Sequence, residues 1–283
     1  MALTASFVGC VKEDMDDCDI PYSLTVRAYE RGTNNELSTG DVSDLTLFVF
    51  DKELRFTHKI ETALGQRVDL SAKRREDLHI VAWGNLTQGR QSYTDPQVGD
   101  HLDDCFVELD ARTRAVSYVH SPGDLFRGDL TIAASDLEGD KTLPIHREVG
   151  SMEIILRDLK GFSGFNDEDF HVEVRETFSA IDFRGQYTGD AVAYLPGGVF
   201  RTNAGGRQEY YVEAFNLLSN ETGVYIDIYH GSDLIATASM DGQSNPLVVE
   251  KDKLTHVLID LKAGISVSVA LTDWEGDYIW KEF

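Results

Sequence analysis

From Ile265 to Leu271 the chain alternates without a break. Ile265, Val267, Val269 and Leu271 are apolar, and Ser266, Ser268 and Ala270 between them are small. Successive side chains of a strand point to opposite faces, so such a run presents one apolar face and one wettable face. The same period returns at Leu24, Val26 and Ala28, at His79, Val81 and Trp83, and at Phe170, Val172 and Val174. No stretch carries the 3.6-residue period of a long amphipathic helix. Short alternating segments with turn residues between them predict an all-β fold of stacked sheets.

The strands can be placed along the chain. In Asp44–Phe50, Leu45, Leu47 and Val49 face one way while Thr46, Phe48 and Phe50 face the other. Both faces are largely apolar, which predicts a central strand. Asp51-Lys52-Glu53 reads as a turn, with 56–61 as the returning arm of a hairpin. Gly84-Asn85 closes the strand at 79–83. Residues 66–78 read as a strand end plus loop, and 86–104 as a long surface loop. Cys105–Leu109, Ala115–Val119 and Leu125–Ala133 supply the remaining strands of the first half. The Asp-bearing segment 135–141 reads as a connector. A chain of 283 residues accommodates two domains at roughly 100–200 residues each. The expected division is a tether at 1–18, an N-terminal domain at 19–142 and a C-terminal domain at 143–283. In the second half, strands are expected at 151–156, 170–175, 210–215, 224–230, 234–240, 247–249, 255–261 and 265–271. The pair at 224–230 and 234–240 reads as a hairpin around Gly231-Ser232.

Charge excludes some functions. With 26 Lys+Arg against 49 Asp+Glu, the net charge is −23, which repels nucleic acid and anionic membrane surfaces. No Gly-rich phosphate loop, dinucleotide fingerprint or nucleophile elbow is present. The eight His are scattered, with no pair at local metal-chelating spacing. Asn166-Asp167-Glu168-Asp169 lacks the alternating ligands of a calcium loop. Asp273 and Glu275 could suggest a glycosidase pair, but sequence neighbours rarely face one cleft at the required separation. Trp83, Trp274, Trp280 and the Tyr residues read first as core, with a sugar-binding platform as the alternative. The expectation is therefore no enzyme, no metal and no cofactor.

The N-terminus reads as an address. Leu3–Val8 is a short run of small and apolar residues, followed at once by Gly9-Cys10. It is too short to span a bilayer and lacks a basic n-region. A small residue directly before a Cys, after an apolar run, resembles a bacterial lipobox, which makes Cys10 the expected lipidation site. Val11-Lys12-Glu13-Asp14-Met15-Asp16-Asp17 resembles the acidic export tag of Bacteroides-type surface lipoproteins. That places the chain at the cell surface, held to the outer membrane by lipid. Of the 3 Cys, Cys18 and Cys105 then remain, a pair that could form a disulfide outside the cytoplasm or lie as two separately buried thiols.

Several of these features together resemble the fimbrillin-associated anchor family of Bacteroides-type bacteria. They are Cys10 with its acidic flank and Cys18 nearby; Val42–Asp51 as a first-domain strand leading into a hairpin; and Ile265–Leu271 running into Asp273-Trp274-Glu275-Gly276-Asp277. Leu143–Leu156 is similar to the family's passage into its second domain, with an Arg shortly before an apolar strand. The resemblance implies two tandem transthyretin-like Greek-key β-sandwich domains. It also implies an anchor or accessory subunit of a fimbrium, with fimbrial subunits as partners and a host protein or glycan as a further candidate. A sandwich has edge strands with unpaired main-chain groups, and a neighbouring subunit can add a strand there. That mechanism needs no catalytic residue, and it predicts an exposed apolar groove. The alternative is a surface glycan-binding lipoprotein.

Overall fold

The computed structural model describes residues 19–73, 77–111, 118–134, 139–218, 222–274 and 276–280. Strand follows strand. The exceptions are a five-residue helix, α1 (Leu159–Ser163), and a 3-10 turn at Leu102–Asp104. No described helix is long and apolar enough to cross a membrane.

The first sheet takes β1 (Asp19–Ala28), β2 (Leu45–Phe50), β3 (Phe56–Thr62), β4 (Arg67–Lys73), β5 (Leu78–Gly84), β9 (Phe126–Ile132) and β10 (Gly139–Arg147). Their order is β3-β2-β5-β9-β10-β1-β4, antiparallel except for the parallel pair β1 and β10. β2 is central, as its two apolar faces predict, and each face feeds a different core. Leu45, Leu47 and Val49 pack with Leu24, Val26, Ile80, Phe126 and Ile145. Phe48 and Phe50 pack on the other side with Trp83, Val107 and Phe183. At Gly128 a Cβ would collide with the carbonyl of Pro144 on β10. Only a residue without a side chain lets the two backbones approach so closely.

The second sheet takes β11 (Gly150–Arg157), β14 (Gly198–Thr202), β15 (Gln208–Leu217), β18 (Lys253–Asp260) and β19 (Ser266–Asp273), in the order β14-β15-β11-β18-β19. β11 and β18 are parallel and the other pairs antiparallel. The first strand of each half thus lies between an antiparallel neighbour and a parallel one. β1 sits between β4 and β10, and β11 sits between β15 and β18.

The third sheet is built on β12 (Phe170–Asp182), with β13 (Tyr187–Tyr194), β16 (Tyr225–His230) and β17 (Asp233–Ala238) from the second half. Its order is β17-β16-β12-β13-β8, where β8 is Tyr118–Val119. β6 (Gln91–Tyr93) pairs with β7 (Phe106–Leu109), and β7 pairs with the far end of β12. Three short strands from the first half therefore extend a sheet of the second. Bulges after Arg175 and Phe178, with Glu176 in the left-handed region, bend β12 between its two sets of partners.

The sequence expectations meet this fold unevenly. The all-β reading holds, as does the hairpin of β16 and β17. The expected loop at 86–104 contains β6 and the 3-10 turn, and the segment at 66–78 contains a full strand, β4. Neither β13 nor β14 was anticipated. The division at 142/143 falls inside β10, which pairs with β1 and β9 as far as Arg147, and the sheet changes only between Arg147 and Gly150. One core contains residues of both halves, including Phe48, Trp83, Ile154, Val172 and Val257, whereas the other draws only on residues before 146.

Candidate interaction surface

The search for chemistry among the described residues finds no group of three His, Cys, Asp or Glu able to hold a metal. Asp167 of the acidic loop pairs with His230 at 2.6 Å. Asp273 pairs with Lys253 at 2.7 Å, and Glu275 lies outside the described residues. The arrangement most like a catalytic relay is Thr272–His256–Glu153, with 3.0 Å at each link. Its hydroxyl, however, donates to the carbonyl of Gly276 at 3.0 Å, so the proton a base would need is already committed. The three groups pin the C-terminal turn to β18.

Of the expected site residues, Cys10 and Cys18 lie outside the described residues. Cys105 is a free, fully buried thiol of the core shared by both halves, and its Sγ lies 3.5 Å from the carbonyl oxygen of His101. Burial pushes its pKa up to about 11. The suggested Cys18–Cys105 disulfide finds no support: no disulfide is found among the described residues. The three tryptophans do not form one coplanar, exposed row. Trp83 is fully buried, Trp274 stacks on Arg147, and Trp280 meets Tyr278 edge-on at 71°.

Sequence reasoning singled out an Arg ahead of an apolar strand without giving it a role. Arg147 is buried between the rings of Phe126 and Trp274, at 4.7 and 4.2 Å. Its guanidinium holds Asp124 at 2.6 Å and also pairs with Asp252. Burial raises the Asp124 pKa, and the neighbouring guanidinium opposes that shift. Asp252 also accepts from the backbone N–H of Arg31, and Glu148 holds Arg31 and Lys251. The end of β1, the end of β10 and the approach to β18 are thus tied together where the first half meets the second.

The sheet edges differ in character. β3 presents Thr57, His58, Lys59 and Glu61, and β4 presents Arg67 and Asp69, polar residues that discourage pairing. β19 is different. Val267 lies in the core at 6% exposure, whereas Val269 and Leu271, two and four residues on along the same face, are 38% and 44% exposed. Ile265, just before the strand, is 48% exposed. The Val267 carbonyl accepts from the N–H of Gly242 at 2.8 Å, so the main chain of this alternate set points away from β18. Val269 and Leu271 continue the set, and no described residue meets their main-chain groups. β17, at the edge of the third sheet, has Leu234 exposed and Ala236 and Ala238 buried. The loop after β17 crosses to β19 at Gly242 and is held by Asp241, which accepts from the N–H groups of Gln243 and Asn245 at 2.8 Å. An apolar row and an unpaired main chain therefore coincide on one strand, which is what an added strand requires.

Comparison with known proteins accounts for this assembly. The family model for fimbrillin-A-associated anchor proteins Mfa1 and Mfa2 matches residues 15–279. The chain belongs to that family. A curated relative, the major fimbrium anchoring subunit FimB of Porphyromonas gingivalis, is 26% identical over 97% of this chain and 93% of its own length. Among solved structures, the fimbrial anchor protein Mfa2 of Porphyromonas gingivalis superposes with a TM-score of 0.65 at 11% identity, covering 91% of this chain and 98% of that one. A candidate adhesin of Bacteroides thetaiotaomicron superposes with a TM-score of 0.61 at 19% identity, covering 89% and 96%. The family is one of structural fimbrial subunits. The Arg before β11 and the Trp after β19, both part of the resemblance, are the two members of one stacked pair, Arg147 and Trp274.

Proposed function

We propose that this chain is a cell-surface lipoprotein, held to the outer membrane through Cys10, that anchors a fimbrium or serves as its accessory subunit. It binds a neighbouring fimbrial subunit by taking an added strand along β19. The observation that carries this reading is the exposed row Ile265, Val269 and Leu271 beside main-chain groups of Val269 and Leu271 that meet no described residue. An incoming strand would satisfy those groups and cover the row with its alternate side chains. Membership of the fimbrial anchor family supports the same partner class. The repeated strand neighbourhood of β1 and β11 supports two structural units, with the change of unit at Glu148–Val149.

Two measurements test this. Lys at Val269 and Leu271 (V269K/L271K) charges the edge without touching the buried core. Capture of fimbrial subunits from surface extracts should weaken by about tenfold or more, with an unchanged melting temperature. Undiminished capture would remove β19 from the interface. For the tether, metabolic labelling with a lipid precursor should be lost in Cys10→Ala, and persistent labelling would refute it.

A further inference from the structure

At the opposite end of β19 from Asp273, three turns that are distant in sequence close around a cleft of about 670 Å³. Arg157 comes from the end of β11, Arg207 from the turn between β14 and β15, and Lys262 from the turn between β18 and β19. Asp260 is the acid among its lining residues. A second cleft shares these three cations and adds Lys160, Asp158 and Glu209. In a chain with 49 acids and 26 bases, cations do not gather without a reason.

Arg157 is the informative member. It is 8% exposed, its Nε is buried without a hydrogen-bond partner, and the Glu209 carboxylate stays 3.8 Å away. Glu209 is instead engaged by Arg201 at 2.8 Å. A buried guanidinium with an unpaired Nε is costly, and Arg157 also lines the cleft, where an anion would meet the same cation. The wall beside it is aromatic, formed by Tyr278 and Trp280, and the indole Nε1 of Trp280 is likewise buried without a partner. Ser266 and Ser268 line the cleft as well.

We infer that this cleft binds a carboxylated sugar, a pyranose ring bearing one acid group. The volume is large for a bare ion and lies within the range of small-ligand pockets, roughly 300–1,000 Å³. The cations meet the carboxylate, the aromatic wall covers the apolar face of the ring, and the serines reach the hydroxyls. The net charge of −23 disfavours a polyanion, so a single acid group fits better than a densely charged polymer. The cations and the aromatic wall on which the inference rests lie apart from Val269 and Leu271, although Ile265 borders both the cleft and the exposed row.

The probe is sodium D-glucuronate, titrated into the full chain and followed by calorimetry and by saturation-transfer NMR. Glucose and inorganic phosphate serve as comparisons. Glucuronate should bind saturably, with glucose about tenfold weaker or more. Trp280 and Tyr278 should lie near the ring protons. Arg207→Gln with Lys262→Gln changes only exposed side chains, and it should weaken glucuronate about tenfold with no change in fimbrial-subunit capture. Absence of saturable binding would overturn the inference. So would glucose binding as well as glucuronate, phosphate displacing glucuronate at equal concentration, or an unaffected double variant.

Discussion

Arg147 concentrates more of this fold's specificity than any neighbouring residue, because four partners converge on one guanidinium. Two are carboxylates, Asp124 and Asp252, and two are aromatic faces, Phe126 and Trp274. Removing the cation would leave Asp252 buried and Asp124 half-buried without a counter-charge. Arg147→Ala should therefore destabilise the chain by about 3–5 kcal/mol, measured by urea denaturation. Arg147→Lys should recover only part of this, since an ammonium lacks the planar fork and stacks poorly. A loss below about 1 kcal/mol would mean that the pair is solvated in solution. Sequence gave one local sign of this site, an Arg before an apolar strand. The partners at 124, 252 and 274 are separated by stretches no spacing rule connects. Cys105 shows the opposite limit. Setting Cys10 aside for lipid leaves Cys105 in an even pair that invites a bridge, and the structure shows it as a free, buried core residue. With its pKa pushed up to about 11, iodoacetamide at pH 8 should modify Cys105 more than about a hundredfold more slowly in the folded chain than in urea, read by peptide mass mapping. Ready modification of the native chain would place the thiol at the surface.

Strands were legible in proportion to how evenly their two faces alternate. β2 could be read as central because both of its faces are apolar, and its two rows do enter two cores. β19 gave the most regular pattern in the chain, yet the pattern did not reveal that its apolar row is only half covered. Periodicity reports which way a side chain points, not whether another element lies over it. β13 escaped notice because its run, Tyr187–Tyr194, contains Gly189 and Asp190 and answers a partner strand whose register is shifted by bulges. The loop that reaches β19 at Gly242 depends on Asp241, whose carboxyl is held below the usual range first by the Asn245 side chain and then by backbone N–H groups. A carboxyl with a lowered folded-state pKa stabilises above its unfolded value, about 3.9, and loses that contribution as pH falls through the lower folded value. The loop should therefore be fully held at neutral pH and released below about pH 4. Asp241→Ala should release it at pH 7. Hydrogen exchange at Gly242, Gln243 and Asn245 should quicken while the amides of β18 stay protected. Unchanged exchange at Gly242 would show that the loop is held by other contacts.

At the scale of the molecule, composition and strand spacing pointed to two sandwiches in tandem, joined near residue 142. The expectation of separable domains missed what the first half gives to the second. β6, β7 and β8 extend the third sheet, and Phe48, Phe50, Val81 and Trp83 share a core with Ile154, Val172 and Val257. Nothing in a strand's own sequence distinguishes a face buried within its unit from a face buried against the next one, since both read as apolar. The shared core makes a specific demand on stability. The full chain should unfold in one calorimetric transition, with the van't Hoff and calorimetric enthalpies in agreement. A fragment of residues 19–148 would expose the aromatic face of β2 and β5 that now packs on the second half. It should bind a hydrophobic dye, associate at micromolar concentration and melt without a cooperative transition. If that fragment instead stays monomeric and melts sharply, the two units are thermodynamically independent, and the shared core is a docking contact between finished domains rather than part of what folds them.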